Sequence, residues 1–184
     1  MTDSERSFAV QYLEQTRDRV LALAKALTPE QRGSHRENDW SAAELIEHIV
    51  VVENFALGLL EGMIKEDTPD ESRRGSKAHK DQIVLEAVPA RTTHAQAPDF
   101  LKPSRRWADF DELLREFEQT RNRTLHFAGT TTADLRAYFR PHPLLKELDA
   151  YQWLLLIGSH AERHVRQAEE GLTGYTAMTT TSPA

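Results

Sequence analysis

YQWLLLIGSHAERHVRQAEE, residues 151–170, has the pattern of one amphipathic helix. Its inward stripe advances in alternating steps of four and three residues, through Trp153, Ile157, His160, His164 and Gln167. His160 and His164 lie one turn apart on that stripe, so both imidazoles can reach a single metal ion. The alternative is a pair of core histidines whose ring nitrogens have partners within the protein. The spacing alone does not separate these two interpretations.

A third histidine lies on a second stripe of the same kind. Ser41 followed by Glu44 predicts a capping box, and therefore the start of a helix. The stripe then advances through Leu45, His48, Val52, Phe55 and Leu59. The remaining histidines are predicted in loops or on a polar face, at His35, His79, His94, His126 and His142. Three histidines on inward stripes favour a metal site.

The other long segments also repeat at helical spacing, which predicts an all-α four-helix bundle. The first helix is predicted from about Ser4 to Leu27, and a short helical turn follows Thr28. The third helix is predicted from its cap Asp109 to about Ala128. The fourth helix follows the cap Asp149 and carries the histidine pair.

Residues 66–106 form a long polar connection between the second and third helices. Its length permits these helices to run parallel through a crossover, which a tight turn would forbid. One short helix is predicted within Lys77–Val88 and another at Thr132–Phe139. We expect a single domain over residues 1–171, followed by a flexible tail at residues 172–184.

The composition excludes several classes of protein. A chain of 184 residues suits one domain with a substantial core. It contains no cysteine, so neither disulfides nor thiolate ligands are available. The N-terminus lacks a secretion signal and the apolar runs are too short to cross a bilayer. The net charge of −6 argues against nucleic acid as a partner. We expect a cytoplasmic protein without a membrane partner.

Three neutral imidazoles would leave coordination positions open, as in catalytic zinc sites. Nitrogen ligands suit Zn²⁺, Ni²⁺, Cu²⁺ or Fe²⁺ better than Mg²⁺ or Ca²⁺. The H-E-x-x-H motif of metalloproteases is absent, because Glu162 lies two residues after His160 and about 200° round the helix. No protein base is identified, so the nucleophile is expected to be water on the metal or a bound cosubstrate.

Two charged residues on inward stripes have alternative interpretations. Arg121 interrupts the stripe of the third helix, and contact with a carboxylate or with the rim is favoured over binding of an anionic substrate. Glu53 flanks the stripe of the second helix. An interhelical ion pair is favoured over a role in orienting a metal ligand.

The chain resembles the DinB/YfiT-like superfamily. The resemblance rests on Trp40-Ser41 leading to Glu44 and His48, on His142-Pro143, and on His160-x-x-Arg163-His164-x-x-Gln167. It spans most of the chain, from about Phe8 to Gly171. Members are four-helix bundles with an up-down-down-up course, and their three histidine ligands correspond here to His48, His160 and His164.

The resemblance implies a divalent-metal-dependent enzyme, with zinc or nickel expected before iron or manganese. Its characterised members include transferases that use low-molecular-weight thiols such as bacillithiol, mycothiol or glutathione. The first hypothesis is therefore a thiol S-transferase in which Arg121 binds an anionic group of the thiol or substrate. A hydrolase that uses water on the metal and a non-catalytic metal-binding bundle are the alternatives. A homodimer is left open as the assembly.

Overall fold

The computed structural model describes residues 1–34, 39–91 and 96–179, with side chains as far as residue 173. Four long helices dominate this part of the chain: α1 at Asp3–Ala26, α3 at Ala42–Glu66, α4 at Phe110–Thr130 and α5 at Ala150–Thr179. A short helix, α2, occupies Pro29–Gly33. His35 and His94 lie outside the described residues.

Side-chain caps explain where the helices begin. Ser41 Oγ accepts a hydrogen bond from the Glu44 amide at 3.3 Å, and the Glu44 carboxylate accepts one from the Ser41 amide at 2.8 Å. Asp149 and Gln152 form the same reciprocal pair at the start of α5. Asp109 accepts from the Glu112 amide at 2.7 Å and caps α4. These contacts satisfy amides that the helix itself leaves unpaired, and they confirm the predicted starts.

The four long helices form a bundle in which α1 and α3 each pack against both α4 and α5. One core cluster joins Leu13, Leu60, Ala128 and Leu154. The other joins Val20, Ile49, Phe117 and Val165. The first cluster thus takes the N-terminal halves of α1 and α5 and the C-terminal halves of α3 and α4. It follows that α1 and α5 run in one direction and α3 and α4 in the other, which is the up-down-down-up course.

One aromatic residue of the predicted α3 stripe lies on the surface, since Phe55 is 44% exposed. The core side of α3 instead follows Ile46, Ile49, Val50, Glu53, Leu57 and Leu60. Seven residues separate His48 from Phe55, which is only about 20° round a straight helix, so the two lie on nearly the same side of α3. That side is not the core side. His48 is buried there because its ring packs against those of His160 and His164, whereas Phe55 is exposed.

The crossover between α3 and α4 contains the short helix predicted within Lys77–Val88, because residues 78–87 are helical without a break. This stretch begins as a 3₁₀ turn at Ala78–Lys80 and ends as a π-helix at Ile83–Ala87. Further 3₁₀ turns lie at Glu71–Arg73 and Asp99–Leu101. Val84 is fully buried in the core cluster that contains the start of α5. The helical stretch therefore packs on the bundle through Val84.

A β-hairpin precedes α5, and the sequence analysis missed it. Strand β1, Phe139–His142, pairs antiparallel with β2, Lys146–Asp149. The helix predicted at Thr132–Phe139 is reduced to a 3₁₀ turn at Leu135–Ala137. Arg136 in this turn is buried and contacts Glu5, Asp81 and Asp149, at distances of 2.6–3.0 Å. This arginine holds the start of α1, the crossover and the hairpin together.

The last helix is longer than predicted, because α5 continues beyond Gly171 to Thr179. Residues 180–184 of the predicted tail lie outside the described residues. None of the helices described is both long and apolar enough to span a membrane.

Candidate metal centre

The bundle brings His48 on α3 together with His160 and His164 on α5. One ring nitrogen from each lies within 4.8 Å of the other two. The Nε2 atoms of His160 and His164 are 3.1 Å apart. The ring centroids are separated by 4.5–4.9 Å in all three pairs. The three predicted ligands therefore share one small volume between two helices.

Two of the rings have their tautomers set by a neighbouring acceptor. His48 Nδ1 lies 2.8 Å from the carbonyl oxygen of Leu101. His164 Nδ1 lies 2.9 Å from Gln167 Oε1. Because these oxygens only accept, each Nδ1 must carry the proton, which leaves the Nε2 lone pair free. This is the arrangement in which a histidine binds a metal through Nε2.

Burial keeps these imidazoles neutral. Desolvation, followed by the charge of His48, lowers the pKa of His164 to about 3. Burial likewise lowers the pKa of His48, and it holds that of His160 well below the ordinary value. A proton on one ring would meet both a low-dielectric environment and its neighbours' charge. Neutral rings at pH 7 are the form that metal coordination requires.

Aromatic and basic side chains surround the three rings. Trp40 lies 4.7 Å from His48 between ring centroids, and 6.5 Å from His164. His142 on the hairpin accepts the amides of Leu144 and Leu145 at Nδ1, so its Nε2 carries the proton. Its ring packs 5.2 Å from that of Trp153.

The positive charges of Arg91 and Arg163 also act on the ring of His164. Both contribute to the low pKa of His164, after its burial and the charge of His48. Arg163 donates to the carbonyl of Val88 at 3.0 Å, and Arg91 forms an ion pair with Glu170 at 3.5 Å. Both arginines thus help to keep the ring of His164 neutral, and both also have partners within the protein.

Arg121 does not face this centre, which corrects the expectation that it binds substrate. Its guanidinium is fully buried and forms a two-bonded ion pair with Glu53, with both N···O distances 2.8 Å. It also donates to the Leu13 carbonyl at 2.7 Å and to Thr16 Oγ1 at 2.9 Å. The interhelical ion pair favoured for Glu53 is confirmed, and Arg121 belongs to the bundle core.

Four carboxylates close in sequence to the histidines are engaged elsewhere. Glu47, directly before His48, accepts the backbone amides of residues 104–106. Glu162 pairs with Arg166 at 2.8 Å and with Arg19 at 3.3 Å, on the side of α5 that faces α1. Glu44 serves the cap of α3, and Glu53 pairs with Arg121. In the part of the chain that the structure describes, these side chains do not serve as a base at the three rings.

The geometry suits a divalent transition metal ion. Three neutral imidazoles offer three nitrogen donors and no net charge, a set suited to Zn²⁺, Ni²⁺ and Fe²⁺. The tautomers of His48 and His164 are already those required. The sequence analysis did not predict that Gln167 accepts the proton of His164 Nδ1. Its position three residues after His164 on the same stripe would have indicated this contact. The contact of His48 with the Leu101 carbonyl could not be predicted from the sequence, because it depends on the path of the crossover.

A sequence profile of the DinB superfamily matches residues 12–168. The chain belongs to the DinB superfamily. The resemblance stated from Trp40–His48 and His160–Gln167 is thereby confirmed. This DinB-superfamily chain is also 27% identical over 133 residues to the uncharacterized protein YuaE of Bacillus subtilis strain 168, a match that covers 72% of this chain and 76% of YuaE.

The fold has a close counterpart among solved structures. YfiT from Bacillus subtilis, described as a probable metal-dependent hydrolase with an unusual four-helix bundle topology, superposes with a TM-score of 0.64. The match covers 96% of this chain and 90% of YfiT, at 15% sequence identity. At that identity the similarity establishes the four-helix bundle fold of this DinB-superfamily chain.

Proposed function

We propose that this chain binds one divalent metal ion through Nε2 of His48, His160 and His164, and that it is a metal-dependent thiol S-transferase. The observation that carries the metal site is the convergence of three neutral rings, two of them with the proton fixed on Nδ1. When bound, such an ion supplies positive charge that stabilises the anion of a thiol or of water at neutral pH.

The absence of a base beside the described histidines favours a thiol as the nucleophile. A free thiol has a pKa of about 8.5 and bulk water one of about 15.7, so a thiol needs far less assistance to ionise. Glu44, Glu53 and Glu162 are held by other partners. Arg91 and Arg163 add positive charge near the rings, and we assign to them the anion-binding role first given to Arg121.

A hydrolase is the second candidate, and the description of YfiT as a probable metal-dependent hydrolase favours it. The low-molecular-weight thiol, the cytoplasmic location and a homodimeric assembly stay predictions. The identity of the metal is part of the same proposal, with zinc or nickel preferred for three nitrogen ligands.

Metal analysis and a thiol panel test this proposal together. Purified protein is expected to contain about one equivalent of divalent metal, and His160→Ala to lose it. Wild-type protein should conjugate thiols to a model electrophile, whereas metal-stripped protein and His160→Ala should not. Ester or amide hydrolysis that needs no thiol would support the hydrolase instead. Metal content equal in wild type and His160→Ala would contradict the site itself.

A further inference from the structure

Glu47 is a buried carboxylate next to His48 that the mechanism above does not use. Its residue is 4% exposed. The carboxylate accepts three consecutive backbone amides from the end of the crossover: Ser104 at 2.7 Å, Arg105 at 3.1 Å and Arg106 at 3.3 Å. The nearest contact to an arginine side chain is longer, with Arg106 Nε 4.0 Å away. Backbone amides are thus its main partners.

The crossover has the backbone shape that lets successive amides converge on an anion. Arg105 has a φ of +58°, in the left-handed region that a non-glycine residue seldom adopts. A left-handed residue within such a turn points neighbouring N–H groups to the same side and creates a small anion-binding concavity. The Glu47 carboxylate fills it and supplies the charge. This contact explains why the unusual backbone at Arg105 is stable.

The same loop holds His48. Leu101 ends a 3₁₀ turn three residues before Ser104, and its carbonyl accepts the proton of His48 Nδ1 at 2.8 Å. Arg106 closes the loop, because its guanidinium donates to the Phe100 carbonyl and to Ser104 Oγ, both at 3.1 Å. Glu47 and His48, adjacent on α3, therefore bind two ends of one short segment.

We infer that Glu47 is a positioning residue for the metal centre. It neither contacts the three rings nor donates to the ion. It holds residues 104–106 in place, the segment in turn holds the Leu101 carbonyl, and that carbonyl keeps the proton of His48 on Nδ1. The Nε2 lone pair of His48 then faces His160 and His164. This inference rests on the proposed metal site and adds a residue that sets one ligand's tautomer and orientation.

Glu47→Gln tests the inference with little change of shape. The amide replaces one acceptor oxygen by an NH₂ group, which faces backbone N–H groups that it cannot accept. The affinity for Zn²⁺, measured by competition with a chromophoric chelator, is expected to fall roughly 10–100-fold. In metal-free protein, ¹⁵N-resolved imidazole spectra should show His48 losing the uniform Nδ1–H tautomer of the wild type. Its signals are assigned with His48→Gln.

Glu112→Gln is the matched control. Glu112 also accepts a crossover amide, that of Ala108 at 2.9 Å, but it lies beyond the segment that holds His48. Its substitution should leave zinc affinity and the His48 tautomer unchanged. Glu47→Asp retains the charge and should recover part of the affinity. It also serves as the test if the glutamine variant does not fold.

The outcomes separate the two proposals. If wild-type protein binds no metal, the proposed function fails, while the tautomer comparison still tests the role of Glu47. If wild type binds zinc and Glu47→Gln has the same affinity and the same His48 tautomer, the inference is overturned. A lower melting temperature without either change would make Glu47 a structural residue only, which also overturns it.

Discussion

Single buried polar residues in this bundle take one of two roles, and their partners tell the roles apart. His48 and His164 have acceptors at Nδ1, while the Nε2 atoms of His160 and His164 lie 3.1 Å apart. Arg121 instead has its charge neutralised by Glu53 and further bonds to Leu13 and Thr16. Several buried metal-ligating nitrogens that face one another mark a place for a ligand, whereas an ion pair with all its bonds made within the protein marks the core.

Arg121→Met is expected to destabilise the protein strongly, because it leaves the Glu53 carboxylate buried and unpaired. Breaking such a pair from one side costs about 3–5 kcal/mol, whereas replacing both partners by apolar residues costs much less. Urea unfolding measures these two costs, with Arg121→Met and Glu53→Leu as the single variants and their combination as the double variant. The double variant should recover most of the loss. A folded, stable Arg121→Met protein with only a raised KM for thiol would restore Arg121 to the substrate site.

At the scale of elements, a single glycine determines how closely α1 and α5 pack. Gly158 on α5 faces Tyr12 on α1, where a Cβ atom would lie 2.7 Å from Tyr12 Cε1 and 2.8 Å from Cδ1. The Tyr12 hydroxyl also lies 3.2 Å from Ser159 Oγ. Gly158 therefore permits the close approach of the two parallel helices.

Gly158→Ala should lower the free energy of unfolding, by about 1–3 kcal/mol, because the ring of Tyr12 must move. Gly62→Ala on α3 is the control. A Cβ there meets nothing within 4 Å, and alanine favours a helix interior by roughly 0.5–1 kcal/mol over glycine. In chemical denaturation, the midpoint should therefore fall for Gly158→Ala and rise for Gly62→Ala. Equal effects would mean that the Tyr12 contact does not limit how closely the helices pack.

The elements also show why sequence reasoning succeeded in part. Caps at Ser41, Asp109 and Asp149 are local patterns, so the helix starts were predictable. The hairpin has strands of four residues and includes Pro141, so it has no strand signature of its own. It depends on distant contacts such as Arg140 with Asp67 at 2.8 Å. In the same way, the histidine stripe predicted the ligands, but only the folded crossover could reveal Leu101 and Glu47.

For the whole molecule, the three histidines join α3 to α5 at one end of the bundle. A bound ion stabilises the folded state by RT ln(1 + [L]/Kd), about 2.7 kcal/mol at a concentration of 100 Kd. A chelator should therefore lower the melting temperature of metal-loaded wild-type protein, as measured by calorimetry. His48→Ala should be folded and should not respond to the chelator, since the apolar core remains. A chelator response equal to that of wild type would exclude His48 as a ligand.

The pH dependence of the metal-free protein should also report on the three rings. In the unfolded chain each histidine binds a proton below pH about 6.5. In the folded protein, burial lowers the pKa of His164 to about 3, and burial also lowers the pKa of His48. At a pH between the folded and the unfolded pKa of a ring, the unfolded state therefore binds more protons than the folded state. The free energy of unfolding should fall as the pH drops from about 7 to 5, with a slope that rises to about 1.4 kcal/mol per pH unit for each ring that stays neutral.

Urea unfolding in the presence of a chelator, at several pH values in that window, measures the slope. A His160→Gln/His164→Gln variant has lost two of the rings and should show a clearly shallower slope. His142, whose pKa burial also lowers, contributes equally to both proteins and cancels in the comparison. Parallel slopes would show that the rings take up protons in the folded state, and thus that the apo centre is open to water. A steeper wild-type slope means that folding itself holds the ligands in the neutral form that a metal ion binds.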